Sequence, residues 1–287
     1  MKTIYTTELT NKQLDKAREL VEICKKFDGS DKDPYLSNNL NYYKEMPAFF
    51  LGYIDKILVA LLAVYEDGEY AEISLYTHPS YRRRGFAKKL YKLFLEKTKN
   101  YNFSEIDFVT ERIFLDKNPE ILNNCKLMEI PGVEYKLSRQ RVPYDLKINE
   151  EYKISIAKEE NITEIANMLV KLFDDTSLEE RINYAKTAIK DDDVLLYIIS
   201  KDDKIIGACN IDISYNSNYF YSLGIAKDCQ GHGIGTYFMK SIINDLINKN
   251  DKIFELAVDE DNIVAKNLYE KLGFKETTEF VYLTHKK

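Results

Sequence analysis

Two short stretches of this chain carry residue types and spacings that suit phosphate chemistry. One reads Gln230-Gly231-His232-Gly233-Ile234-Gly235 and the other Arg82-Arg83-Arg84-Gly85-Phe86-Ala87. Both contain Gln/Arg-x-x-Gly-x-Gly/Ala, and each lies between a strand-like run and an amphipathic helical run. Each is therefore read as the turn that opens a helix. The first amide N–H groups of a helix have no intrahelical partner, and the helix dipole adds partial positive charge at the same end. Together they form an anion site, and glycine lets the backbone approach the anion at φ angles that other residues avoid. The pattern predicts a pyrophosphate held mainly by main-chain N–H groups. Two better-known glycine motifs are excluded. A dinucleotide fingerprint needs glycine at 236, where Thr236 stands, and a P-loop ends Gly-Lys-Ser/Thr, where the chain reads Gly235-Thr236-Tyr237.

The elements around these stretches are also written twice. The offset is 230 − 82 = 148 at the first residue and 233 − 85 = 148 at the glycine, about half of the 287 residues. That period is too long for a solenoid and suits a duplicated domain. Strand candidates 70–77 and 218–225 lead into the motifs. The helices after them show apolar residues at helical spacing, Leu90, Tyr91, Phe94 and Leu95 in one half, Phe238, Met239, Ile242, Ile243, Leu246 and Ile247 in the other. Upstream, 49–54 and 57–65 flank Asp55-Lys56, and 194–200 and 204–213 flank Asp202-Asp203, two hairpin patterns. Helix-forming sequence precedes each hairpin, at 11–26 and at 162–190, the latter read as two helices. A strand follows each motif helix, at 106–110 and 253–258. The polar stretch 139–150, with Pro143 and no periodicity, is read as the connection between domains 1–138 and 151–287.

Composition bounds the reading further. Lys+Arg number 41 and Asp+Glu 47, a net charge of −6, with 45% hydrophobic and 31% charged residues. That is the mixture of a soluble globular protein with real cores. The longest apolar run, 57–65, is far short of the ~20 residues of a bilayer span. An acidic balance argues against nucleic acid as the main partner. Residues 1–8 lack an apolar signal core. The cysteines, Cys24, Cys125, Cys209 and Cys229, form no Cys-x-x-Cys pair, and His78, His232 and His285 have no metal-ligand spacing. A cytoplasmic protein with reduced thiols and no metal site is expected, with neither nucleic acid nor membrane as a partner.

A second pattern completes the picture. The run 262–274 reads Asn262-Ile263-Val264-Ala265-Lys266-Asn267-Leu268-Tyr269-Glu270-Lys271-Leu272-Gly273-Phe274. With the loop 230–235, it resembles the two signatures of the GNAT superfamily of acyl-coenzyme A-dependent N-acyltransferases, and the resemblance covers nearly the whole chain as two GNAT-like units. It implies a mixed α/β (α+β) fold of two tandem domains, each a mostly antiparallel central sheet flanked by helices. It implies that Gln230, Gly231, His232, Gly233, Ile234 and Gly235 hold the pyrophosphate of acetyl-coenzyme A. It implies that the strand ending at Ile225 splays from 253–258, so that the pantetheine arm pairs with main-chain groups near Leu223 and Ile225, as an added strand would. It assigns Asn267 to the cofactor arm, and Asn262, which also suits a helix cap, to the same neighbourhood. It assigns Tyr269 as the acid that returns a proton to the thiolate, a role compatible with a phenol pKa of about 10 against about 8.5 for a thiol.

The first half departs from this pattern. Arg82, Gly85 and Ala87 keep the loop, with Arg83, Arg84 and Phe86 between them, and would hold a second pyrophosphate. Glu72 stands where some family members carry a catalytic base. The second signature is eroded: an offset of 269 − 125 = 144 places Cys125 opposite Tyr269 and Glu129 opposite Gly273. Cys125 is read as a packed thiol rather than a nucleophile. In the second half no base is named, since 219–223 holds no carboxylate and Asp212 is the nearest one. The expected activity is acetyl or acyl transfer to a primary amine of a small molecule or peptide by a monomer or homodimer. The second half carries the chemistry, supported by the first through the fold or by a strand or loop crossing between units. A non-catalytic coenzyme A-binding tandem module and a tRNA-dependent aminoacyltransferase on a similar fold stay open as alternatives.

Overall fold

The computed structural model describes residues 1–172, 177–214 and 216–286. In chain order the elements are β1 (Lys2–Thr6), α1 (Asn11–Asp28), β2 (Phe49–Ile54), β3 (Ile57–Glu66), β4 (Tyr70–Thr77), α2 (Phe86–Thr98), β5 (Glu105–Glu111), α3 (Arg112–Lys117), α4 (Glu120–Asn124), β6 (Leu127–Glu129) and β7 (Glu134–Arg139). They continue as β8 (Lys153–Ile156), α5 (Ile162–Val170), α6 (Leu178–Lys190), β9 (Val194–Lys201), β10 (Lys204–Asp212), β11 (Ser217–Ile225), α7 (Ile234–Lys249), β12 (Ile253–Asp259), α8 (Ile263–Lys271) and β13 (Lys275–His285). The helical run expected at 162–190 is thus two helices, and its residues 173–176 lie outside the described ones. Among the described residues no helix is long and apolar enough to cross a membrane.

The chain forms two compact units, Met1–Glu134 with Thr278–Lys287, and Tyr135–Thr277. These limits differ from those expected from the sequence at both ends. Residues 278–287 complete the first unit: Phe280 to Leu283 of β13 pair antiparallel with Glu111 to Phe108 of β5, and β6 pairs with the end of the same strand. The reason is apolar: Val281 and Leu283 are buried with Leu115 and Leu127 of the first unit. Fully burying an aliphatic side chain contributes roughly 1.5–3 kcal/mol. The stretch 139–150 is not a free connection either. It is held along the second unit's core: Tyr144 N–H donates to Asn244 Oδ1 at 2.8 Å, Asn244 Nδ2 returns a bond to Tyr144 O at 2.9 Å, and Asn149 N–H donates to Tyr237 Oη at 3.0 Å. Most of its side chains are exposed, while these bonds fix its course.

Strand order is β1-β2-β3-β4-β5-β13 in the first unit and β7-β12-β11-β10-β9-β8 in the second. β4–β5 and β11–β12 pair in parallel, whereas β2–β3, β3–β4, β9–β10 and β10–β11 are antiparallel. Both expected hairpins form. Asp55-Lys56 have φ of 45° and 74° and Asp202-Asp203 of 50° and 58°, the positive pair of a type I′ turn, whose twist matches that of the strands. Side chains then alternate between faces. In the second unit Leu196, Ile198, Ile205 and Ala208 pack under α5 and α6, whereas Tyr197, Ile199, Ile206 and Cys209 pack under α7 and α8.

Candidate active site

The glycine loop of the second unit is built from three local causes. Gln230 donates from Nε2 to the carbonyl of Ile225 at 2.8 Å, which folds the loop back on the strand end. Gly231 and Gly233 have φ of 79° and 77°, a region that costs other residues roughly 1–2 kcal/mol. A Cβ built on either glycine meets nothing within 4 Å. Gly233 precedes α7, whose first turn has no side-chain cap. Residues 230–233 are exposed and Ile234 is buried as the helix begins. Gly235 faces inward, where a Cβ would lie 3.7 Å from Ile225 and Leu268. That is ordinary contact, and it explains why alanine serves at position 87. An open cradle with uncapped amides fits a pyrophosphate.

Beside the loop, the sheet opens. β11 and β12 pair in parallel from Ser217–Ile253 to Phe220–Leu256 and no further, although β11 runs on to Ile225 and β12 to Asp259. The main chain near Leu223 and Ile225 thus loses its β12 neighbour. β11 also slips by one residue against β10, between Ala208–Gly224 and Asn210–Tyr221. The extra residue is a β-bulge, with Ser222 at φ 51°.

Tyr269 of α8 is 9% exposed, its ring edge-on to Phe274 at 6.1 Å. Burial, reinforced by the neighbouring Cys209, pushes its phenol well above the ordinary value. Cys209 lies at the bulge, its thiol 3.9 Å from the Tyr221 carbonyl, which sets Tyr269 beside the bulged part of β11. Leu272-Gly273-Phe274 ends α8: Gly273 has φ 80°, and Phe274 N–H donates to Tyr269 O at 3.0 Å. The glycine thereby turns Phe274 under Tyr269. Asn262 caps α8, accepting from Ala265 N–H at 3.2 Å, and Asn267 is exposed on the same helix. Asp212 lies away from the opening, opposite Tyr219, its carboxylate bonded to Ser214 N–H at 2.7 Å.

In the first unit the loop backbone repeats. Arg82 Nε donates to Thr77 O at 3.0 Å, as Gln230 does to Ile225, and Gly85 has φ 76° before α2. Its arginines are otherwise engaged. Arg82 grips the buried carboxylate of Asp28 through two 2.6 Å bonds, Arg83 pairs with Glu120, and Arg84 donates to Ser80 O at 3.1 Å. Arg83 takes the left-handed conformation itself, at φ 61°. Phe86 and Ala87 begin α2 half-buried.

β4 and β5 also part, after Ile73–Phe108, but the strand β4 is unslipped. Here Glu111, 4% exposed, accepts from the main-chain N–H of Asp31 at 2.8 Å and of Lys32 at 3.0 Å. Tyr76 Oη donates to Lys32 O at 2.8 Å, so the chain at 31–32 is bonded to both strands that flank the gap. Lys32 Nζ lies 3.5 Å from Glu72, whose carboxylate is therefore half of an ion pair. Cys125 is exposed at the end of α4, not a packed thiol; the sequence offset breaks because α3 follows β5 directly. Sequence reasoning missed the Glu111 clamp and the bulge, which leave no local motif.

The Acetyltransferase (GNAT) family model matches residues 14–116 and 159–274, more than half of the chain. The chain belongs to the GNAT acetyltransferase family. Two tandem GNAT units, each with a mostly antiparallel sheet flanked by helices, account for both matches. The chain is 27% identical over 81 residues to an uncharacterized N-acetyltransferase of Methanocaldococcus jannaschii, covering 28% of this chain and 52% of that one. It spans about half the length of that curated relative. A GCN5-related N-acetyltransferase from Sphaerobacter thermophilus superposes with a TM-score of 0.71 at 14% identity, over 98% of this chain and 94% of the other. A tandem GNAT protein from the clavulanic acid biosynthesis pathway gives 0.71 at 12% identity over 99% and 97%. An acetyltransferase of the GNAT family from Colwellia psychrerythraea gives 0.63 at 15%, over the whole of both chains. At these identities the likeness is one of fold.

Proposed function

We propose that the second unit transfers an acyl group, acetyl in the first instance, from coenzyme A to a primary amine of a small molecule or peptide. The observation that carries this reading is the conjunction at the end of β11: strands that part, a bulge at Ser222, an open glycine loop, and a buried phenol beside them. Acetyl-coenzyme A, when bound, supplies the acyl group activated as a thioester. The amides of 231–235 hold the pyrophosphate, and the main chain near Leu223 and Ile225, which has no β12 neighbour, orients the pantetheine arm. Tyr269 keeps its proton at Oη, because burial holds its pKa up, and can direct that O–H as a hydrogen-bond donor to the departing thiolate, which takes up a proton as the C–S bond breaks. Positioning and charge stabilisation carry most of the rate in such a transfer.

Thiol release from acetyl-coenzyme A in the presence of a panel of primary amines tests the reading. Release that depends on one of the amines supports it. Tight coenzyme A binding with no amine-dependent release across the panel supports the non-catalytic binding module instead.

A further inference from the structure

The bulge in β11 is held from outside the strand. Ser222 carries a positive φ inside a β-strand, while the other non-glycine residues in that region stand in turns and loops. Its Oγ lies 2.8 Å from the hydroxyl of Tyr184 on α6. Asn210 Nδ2 donates to that same hydroxyl at 2.9 Å, which leaves the phenol proton for Ser222. Asn210 is the residue at which the β10–β11 register resumes after the slip, and it is 2% exposed. Its Oδ1 has no hydrogen-bond partner, so this buried amide is not placed to maximise its own bonding. Ala185 and Ala188, both buried, bring α6 close to the sheet so that the tyrosine can reach. In the first unit β3 and β4 pair without a slip, and Ser74, the counterpart at 222 − 148, sits in a regular strand.

Resting on the acyl-transfer reading, we propose that Tyr184 is a positioning residue: through Ser222 it fixes the bulge, and with it the main-chain groups of 221–224 that face the reacting thioester. A strained backbone persists only where surrounding groups over-determine it. Tyr184 and Asn210 are those groups, and neither is a member of the apolar clusters of the two faces.

Hydrogen exchange on the full chain without ligand compares the amides of 221–224 in the wild type, Tyr184→Phe, Ser222→Gly and the double variant. Tyr184→Phe raises their exchange by about tenfold, the scale of one lost hydrogen bond. In the Ser222→Gly background, where glycine holds the positive φ unaided, the same change has less than about a twofold effect. Ser222→Ala, which leaves α6 untouched, reproduces the Tyr184→Phe pattern and guards against a folding defect. With the best amine of the panel, Tyr184→Phe lowers kcat about tenfold while KM for acetyl-coenzyme A stays within about twofold. Equal effects of Tyr184→Phe in both backgrounds, or none in the wild type, overturn the proposal. A wild type that binds coenzyme A but turns over no amine overturns the acyl-transfer reading, while the exchange arms still decide whether Tyr184 holds the bulge.

Discussion

At 230–233 and at 82–85 the backbone follows one course. A long polar side chain returns to the last strand carbonyl, two residues take left-handed conformations, and a helix starts without a side-chain cap. The surroundings of the two loops differ. Beyond the second loop the strands part beside a bulge and a buried phenol. Beyond the first, the gap is bridged by 31–32 through Glu111 and Tyr76, the arginines are held by Asp28, Glu120 and Ser80, and Cys125 stands exposed at the end of α4. The loop geometry is a local property of backbone and glycine, and it survives when its neighbours change. Competence for chemistry depends on elements distant in sequence that must all converge.

The largest expected effect separates the two loops directly. Gly233→Asp sets a carboxylate on the open cradle and abolishes coenzyme A binding and turnover, whereas Gly85→Asp leaves turnover within about twofold, as expected of a residue outside the transition-state contacts. Calorimetry on the wild type gives one equivalent of coenzyme A; two equivalents would break the comparison. Next, Tyr269→Phe lowers kcat about a hundredfold with coenzyme A affinity retained, the usual scale of a general acid. Because the phenol is pushed above its ordinary pKa of about 10, the wild-type rate shows no alkaline fall from this group below about pH 10. Unchanged activity in the variant removes Tyr269 as the acid.

Arg82→Ala and Gln230→Ala compare the two loop anchors by stability. The first strands the buried Asp28 carboxylate and costs about 3 kcal/mol, while the second removes one exposed bond and costs about 1 kcal/mol. Urea unfolding distinguishes them, and equal losses would mean that Arg82 does not act through Asp28. The smallest effect concerns Asp107 in β5, whose pKa burial raises, with Glu105 and Glu72 adding to the shift. A carboxyl with a raised folded pKa favours the fold below its unfolded value near 4 and loses that contribution as pH rises through the folded value. Asp107→Asn therefore gains stability relative to the wild type between pH 4 and 7, measured by urea midpoints at the two pH values. A constant difference across that window would show that the carboxyl titrates normally.

Much of this arrangement is legible in the sequence because its causes are local. Asp55-Lys56 and Asp202-Asp203 mark tight turns, Asn262 marks a helix start, and Leu272-Gly273-Phe274 marks a helix end whose glycine needs a positive φ. Arg82 is the instructive exception: its type and position suit a phosphate, yet a carboxylate 54 residues earlier takes it up. The stretch 139–150 misleads for a similar reason, since its hydrogen-bond partners stand about 100 residues further on.

The sequence alone determined that the fold is duplicated, where both glycine loops lie, and which half keeps the second signature. Those features follow from short-range periodicity and backbone preferences that any reader of the residues can apply. Only the tertiary structure decided that residues 278–287 complete the first unit, that Glu111 fastens 31–32 across its gap, and that Tyr184 meets Ser222. Strand exchange, buried hydrogen bonds and a bulge depend on which distant groups are desolvated together, and no spacing along the chain records that.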